Sequence, residues 1–111
     1  MPRNSRVYFE DILEASRRIQ AFTKNYTLRQ FSNDDKTFDA VVRNLEIIGE
    51  AVKNIPSSFR SKHSEVEWKK IAGLRDILVH EYFGVDVEIV WDIIQHKIPV
   101  LKKQIQTILE S

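Results

Sequence analysis

Cysteine is absent from the 111 residues, and glycine and proline number three each. The first absence excludes a disulfide framework and any thiolate metal site. The second leaves little room for collagen-like, low-complexity or loop-dominated architectures. The three histidines are scattered without metal-ligand spacing, so the chemistry is expected to run with no metal and no cofactor. A formal charge of +1 gives no global field drawing the chain onto nucleic acid, so positive charge that meets RNA has to be local. No apolar run approaches the ~20 residues that cross a bilayer. The opening "MPRNSRVYFEDILEASRR" is too charged for a signal peptide. A cytoplasmic, non-membrane protein is expected. With 42% hydrophobic and 30% charged residues, the composition is that of one folded domain over residues 1–111.

Hydrophobic spacing of period 3.6 dominates, and no segment alternates cleanly with period two. The expected fold is all-α: a small antiparallel four-helix bundle. The first helix is expected from Ser5 to Lys24, with Val7, Ile12, Leu13, Ile19 and Phe22 inward. "KNYTLRQFSND" reads as a connection. The second helix runs from about Asp34 to Asn54, with Asp34 or Asn33 as N-cap and an apolar stripe from Phe38 to Ile55. Gly49 falls within that stripe and suits close approach of another backbone. After "NIPSSFRSKH", the third helix is expected to start at Ser64, where "SEVE" resembles a capping box, and to stop at Gly84. Asp86 then caps a fourth helix that Pro99 kinks or splits.

The stretch "RDILVHEYF", Arg75 to Phe83, places a guanidinium, an imidazole and a phenol in an otherwise apolar run. On an ideal helix Trp68, Ile71, Leu74, Arg75, Leu78, Val79 and Tyr82 share one arc. His80 lies roughly 140° from Arg75, so one straight helix does not set the two side by side. Each group also has an ordinary structural reading. Arginine snorkels from apolar faces, histidine complements a helix C-terminus, and tyrosine sits at core edges. Asp76, four residues before His80, is a possible helical partner for it.

The same stretch fits R-x-x-x-x-H-x-Y and resembles the HepT-type toxins of the HEPN superfamily. "YFEDILEASRRI", "RNLEIIGEAVKNIP" and "SEVEWKKIAGLRDILVHEYFGVDVEIVWDII" resemble that family's first, second, and third-to-fourth helices. Only the connection around Lys24 to Asn33 falls outside the likeness. The resemblance implies a two-fold homodimer and a metal-independent endoribonuclease, the toxin of a toxin–antitoxin pair. The implied partner is a minimal nucleotidyltransferase antitoxin. It further implies that Arg75 and His80 are catalytic and that Tyr82 is the acceptor of AMP, whose attachment silences the toxin. All three positions are kept here.

These residue types suit the chemistry. Cleaving RNA without a metal needs the ribose 2′-hydroxyl to lose a proton as it attacks phosphorus, and histidine titrates near cellular pH. A guanidinium fork binds two phosphoryl oxygens as charge builds on them. The helical offset between Arg75 and His80 favours a composite cleft in which two copies face each other. On the second helix Asp39, Arg43, Glu46 and Glu50 share a face that reads by default as solvated and salt-bridged. Arg43 or Glu50 could instead orient the catalytic pair. Lys69 and Lys70, with Arg60, Lys62 and His63, could track an RNA backbone. The competing reading is a non-catalytic helical dimer that binds a nucleotidyltransferase partner or nucleotide. A growth assay separates the two, because a toxin expressed alone arrests cells and a docking module does not.

Overall fold

The computed structural model describes residues 3–111, with side chains from Ser5 onward, and the described residues form helices and turns only. Four long helices carry the core: α1 (Arg3–Thr23), α3 (Asp35–Asn54), α5 (Trp68–His80) and α7 (Ile98–Glu110). Three short ones join them: α2 (Leu28–Ser32), α4 (Ser57–Arg60) and α6 (Val87–Asp92). The all-α expectation holds, while the four-helix description was too coarse. α3 packs against both α1 and α5, and α7 packs against α1. Pairings of Tyr82 with Asp39 and of Arg75 with Gly49 show that α3 and α5 run antiparallel.

In α1 the buried seats are Ser5, Phe9, Ile12, Ala15, Ser16, Ile19 and Thr23, a three-and-four spacing down one face. Val7 and Phe22, expected inward, are 53% and 40% exposed. Val7 stands two residues, or about 200°, from Phe9. The inward seat beside Phe22 goes to Thr23, whose hydroxyl donates to the Ile19 carbonyl at 2.8 Å. The first connection is also more ordered than its polarity suggests. Asn25 takes the left-handed φ of 64°, a region asparagine tolerates. Thr27 and Gln30 then form a capping box for α2, whose Phe31 is buried against Phe38 and Trp91.

The third long helix corrects the sequence reading at both ends. It begins at Trp68 rather than Ser64, and no side chain caps it. The Trp68 indole donates to the carbonyls of Arg60 and His63 at 3.1 and 2.9 Å, which folds the preceding segment into α4 and a 3-10 turn. Glu67 does not reach back to Ser64. It pairs with Lys70 at 2.9 Å and Lys97 at 3.3 Å. At the far end α5 stops at His80, and Tyr82–Gly84 form a separate 3-10 turn. Gly84 does not adopt a positive φ, so it is not a left-handed stop. Asp86 caps α6 as expected, accepting from the Glu88 N–H at 2.8 Å. A π-helical turn, Ile93–Lys97, divides the last helix just ahead of Pro99. Proline cannot supply an N–H, and placing it in the first turn of α7 removes the need for one.

Asp34 starts α3 as expected. Its carboxylate accepts from the Thr37 hydroxyl and the Tyr26 hydroxyl at 2.7 Å each, and from the Thr37 N–H at 3.0 Å. These hydrogen bonds, that of the Thr37 hydroxyl foremost, lower its pKa from 3.8 to about 2. A depressed carboxylate pKa adds stability above the unfolded value, and that stability drains away as pH falls through the folded one. The thermal midpoint of the wild-type protein is therefore expected to fall between pH 4 and pH 2. Asp34→Ala should start lower and lose less over that window; equal losses would remove Asp34 from the account.

Candidate active site

Arg75 occupies the middle of α5 on the side turned to α3, with its side chain 28% exposed. Its position depends on Gly49. A Cβ at residue 49 would fall inside the Arg75 Cβ, 2.8 Å from its Cγ and 3.3 Å from its Cα. Two of those three atoms are rooted at the arginine's own backbone, so bending the side chain cannot relieve the clash. The close approach expected at this glycine is thus made by Arg75 itself.

From that seat the guanidinium is gripped by two carboxylates. One terminal nitrogen lies 3.2 Å from Glu50 of α3, and the other 3.2 Å from the neighbouring Asp76. Lys53 pairs with the same Asp76 oxygen. This lysine, more than Arg75, draws the Asp76 pKa below the usual carboxylate range. Arg75 opens onto a cleft of about 260 Å³ between α1, α3 and α5, lined also by Tyr8, Asp11, Arg43, Glu46 and Glu50. A phosphate entering there meets two guanidinium groups but also three carboxylates. Arg75 keeps donors beyond those engaged by Glu50 and Asp76.

Of the expected supporting residues, Glu50 touches Arg75 directly. Arg43 does not; it pairs with Glu46 on its own helix at 3.7 Å. Asp76 is taken by Lys53 and Arg75, and no hydrogen bond or ion pair joins it to His80. The i,i+4 spacing allowed that pair, but Asp76 turns instead to Lys53 of α3 and to its own neighbour Arg75.

His80 is the last residue of α5 and is exposed, with no side-chain hydrogen bond or ion pair to the described residues. It does not line the Arg75 cleft. Within one chain the structure therefore brings Arg75, Glu50 and Asp76 together and leaves His80 apart, in line with the helical offset. Tyr82 is half-buried, its ring edge-on to Phe38 at 6.4 Å, and its hydroxyl donates to Asp39. The Asp39 hydrogen bond, then burial, raises the Tyr82 pKa above its usual value, and the charges of Asp39, Asp35 and Glu46 push the same way.

The sequence offers Glu50 as a support for Arg75, but leaves Asp39 and Glu46 on a solvated stripe and does not single out Lys53. The signal was present: Asp39, Arg43, Glu46, Glu50 and Lys53 recur at three and four residues. What the spacing could not say was that α5 lies alongside that stripe.

Gly49→Ala is expected to destabilise the fold by about 1–3 kcal/mol, the usual range for overpacking at a tight contact. Denaturant unfolding reads this, and an unchanged midpoint would contradict the contact.

The family "Ribonuclease HepT-like" matches residues 12–108. "Putative RNase TTE0752" of Caldanaerobacter subterraneus subsp. tengcongensis is 48% identical over 109 residues, covering 98% of this chain and 97% of that protein. "Putative RNase MJ0127" of Methanocaldococcus jannaschii is 47% identical over 112 residues, covering all of this chain and 93% of that protein. "Probable ribonuclease HepT" of Thermococcus cleftensis is 48% identical over 102 residues, covering 92% and 93%. No solved structure matches the chain.

Proposed function

The chain belongs to the HepT-like ribonuclease family, and on that premise we propose that it is a metal-independent endoribonuclease with Arg75 and His80 as its catalytic residues. The observation that carries the proposal is the Arg75 guanidinium. It is fixed by Gly49 packing and by Glu50 and Asp76, yet open on a cleft that reaches solvent. Such a group is pre-organised to receive phosphoryl charge. In the reaction the 2′-oxygen forms a bond to phosphorus and the bond from phosphorus to the 5′-oxygen breaks. A base takes the 2′-proton, and an acid returns one to the leaving 5′-oxygen. His80 has the chemistry for one of these transfers.

The active form is a two-fold homodimer in which His80 of one copy serves the Arg75 cleft of the other. Support comes from the surface around the motif. α5 has α3 as its one long-helix neighbour in substantial contact, and leaves Ile77 52% and Val79 43% exposed, with Phe83 fully exposed just beyond His80. Exposed apolar side chains on both flanks of α5 and just beyond its end are what a partner surface covers. Biologically the protein is the toxin of a toxin–antitoxin pair. A nucleotidyltransferase antitoxin attaches AMP to Tyr82 and silences it. The non-catalytic docking alternative has no separate observation in its favour.

The purified protein is expected to cleave single-stranded RNA in EDTA and to leave the DNA of the same sequence intact, since DNA lacks the 2′-hydroxyl. Arg75→Ala and His80→Ala should each lower the rate by at least about a hundredfold, within the range for losing an acid–base or charge-stabilising group. Circular dichroism should show both variants folded. Cleavage that survives both substitutions would end the proposal.

A further inference from the structure

We propose that Asp39 is a positioning residue: its carboxylate holds the Tyr82 hydroxyl, and through it the turn that presents His80, and nucleotide attachment at Tyr82 undoes that hold. The inference rests on the proposed function for the roles of His80 and Tyr82, but the contact itself does not depend on that reading.

Beyond the packing of Tyr82 and Val85 against the core, the segment from His80 to Val85 has few ties. Its backbone hydrogen bonds are local: Glu81 to Ile77, Gly84 to Glu81 and Val85 to Tyr82. Among the described residues, the Tyr82–Asp39 bond is the one hydrogen bond joining this segment to another helix. The Tyr82 ring adds an edge contact with Phe38, one residue earlier on α3. Glu81, with φ −128° and ψ 35°, has already left helical geometry, so α5 alone does not fix the chain beyond His80. A helix end with few anchors opens readily, and here one side-chain bond joins the packing of Tyr82 and Val85 in holding it.

The same geometry says what modification does. When the phenol oxygen bonds to the α-phosphorus of a nucleoside triphosphate, pyrophosphate leaves and the phenol proton passes to Asp39, which already accepts it. The product has no hydroxyl to donate. In its place stands a negatively charged phosphodiester facing Asp35, Asp39 and Glu46, the acidic groups whose charges already bear on Tyr82. Loss of the donor and like-charge repulsion both drive the turn off α3. Silencing thus works by misplacing His80 as well as by bulk. An aspartate opposite the tyrosine makes the hold and its release depend on one oxygen atom.

The test compares the full-length wild-type protein with Asp39→Ala, Asp39→Asn and Tyr82→Phe, reading RNA cleavage and amide hydrogen exchange. Asp39→Ala and Tyr82→Phe are expected to lower kcat by about tenfold, the worth of one such hydrogen bond, with KM little changed. Amides of residues 78–85 should exchange faster while those of α1 and α7 keep their protection. Asp39→Asn retains an acceptor oxygen and should recover most of kcat, which a purely structural loss would not do. Unchanged exchange at residues 78–85 in Asp39→Ala would overturn the proposal. So would wild-type kcat in that variant. If the wild-type protein cleaves no RNA, the proposed function fails, while the exchange comparison still decides whether Asp39 holds the turn. In the last arm, wild-type protein nucleotidylated by a nucleotidyltransferase with ATP should show the same local exchange increase. Full protection at residues 78–85 after modification would mean blockade without release, and would contradict the second half of the inference.

Discussion

The contact between Gly49 and Arg75 sets the rest of the molecule. A helix carrying an arginine on its inner face can lie against α3 only where α3 lacks a side chain, and Gly49 is that place. Once the two backbones meet there in antiparallel sense, the remaining pairings are determined. Glu50 reaches the guanidinium, Lys53 reaches Asp76 on one side, and Asp39 meets Tyr82 far along on the other. One missing Cβ thereby fixes where both the Arg75 guanidinium and the Tyr82 hydroxyl meet α3.

That arrangement balances opposing demands on Arg75. Carboxylates beside a guanidinium restrain it and offset its charge, so Glu50 and Asp76 hold the group still while weakening its bare attraction for phosphate. Lys53 reduces the second effect by claiming part of Asp76. The imidazole has no such escort. His80 stands at the exposed end of α5, beyond the cleft, beside apolar groups that solvent would not favour. On the proposed reading, a second copy laid against that end covers them and completes the site.

Much of this was legible in the sequence, and the failures are instructive. Periodicity placed α3, its N-cap and its glycine, because a long stripe with a capping aspartate is read locally. The offset between Arg75 and His80 was also readable, being simple helical geometry. The start of α5 was not: "SEVE" satisfies the local rule, but Trp68 spends its indole N–H on the two carbonyls upstream and redirects the chain. The end of α5 failed for a similar reason, since Tyr82 turns towards Asp39 of a helix 43 residues earlier. The partners of Asp39 and Lys53 were hidden because each lies across the α3–α5 interface, whereas the pairing of Glu50 with Arg75 was open to the sequence. Val7 and Phe22 show that an apolar residue on an amphipathic helix need not face inward when the buried arc is already filled by its neighbours.

The central claim is that a guanidinium from one copy and an imidazole from another act on the same ribose phosphate. Co-expressing Arg75→Ala chains with His80→Ala chains, and assaying the isolated mixed dimer, addresses it directly. Two chains that are each inactive should regain cleavage, because one of the two clefts in the mixed dimer then has both an arginine and a histidine. A mixed dimer that stays as inactive as its parents would contradict the account.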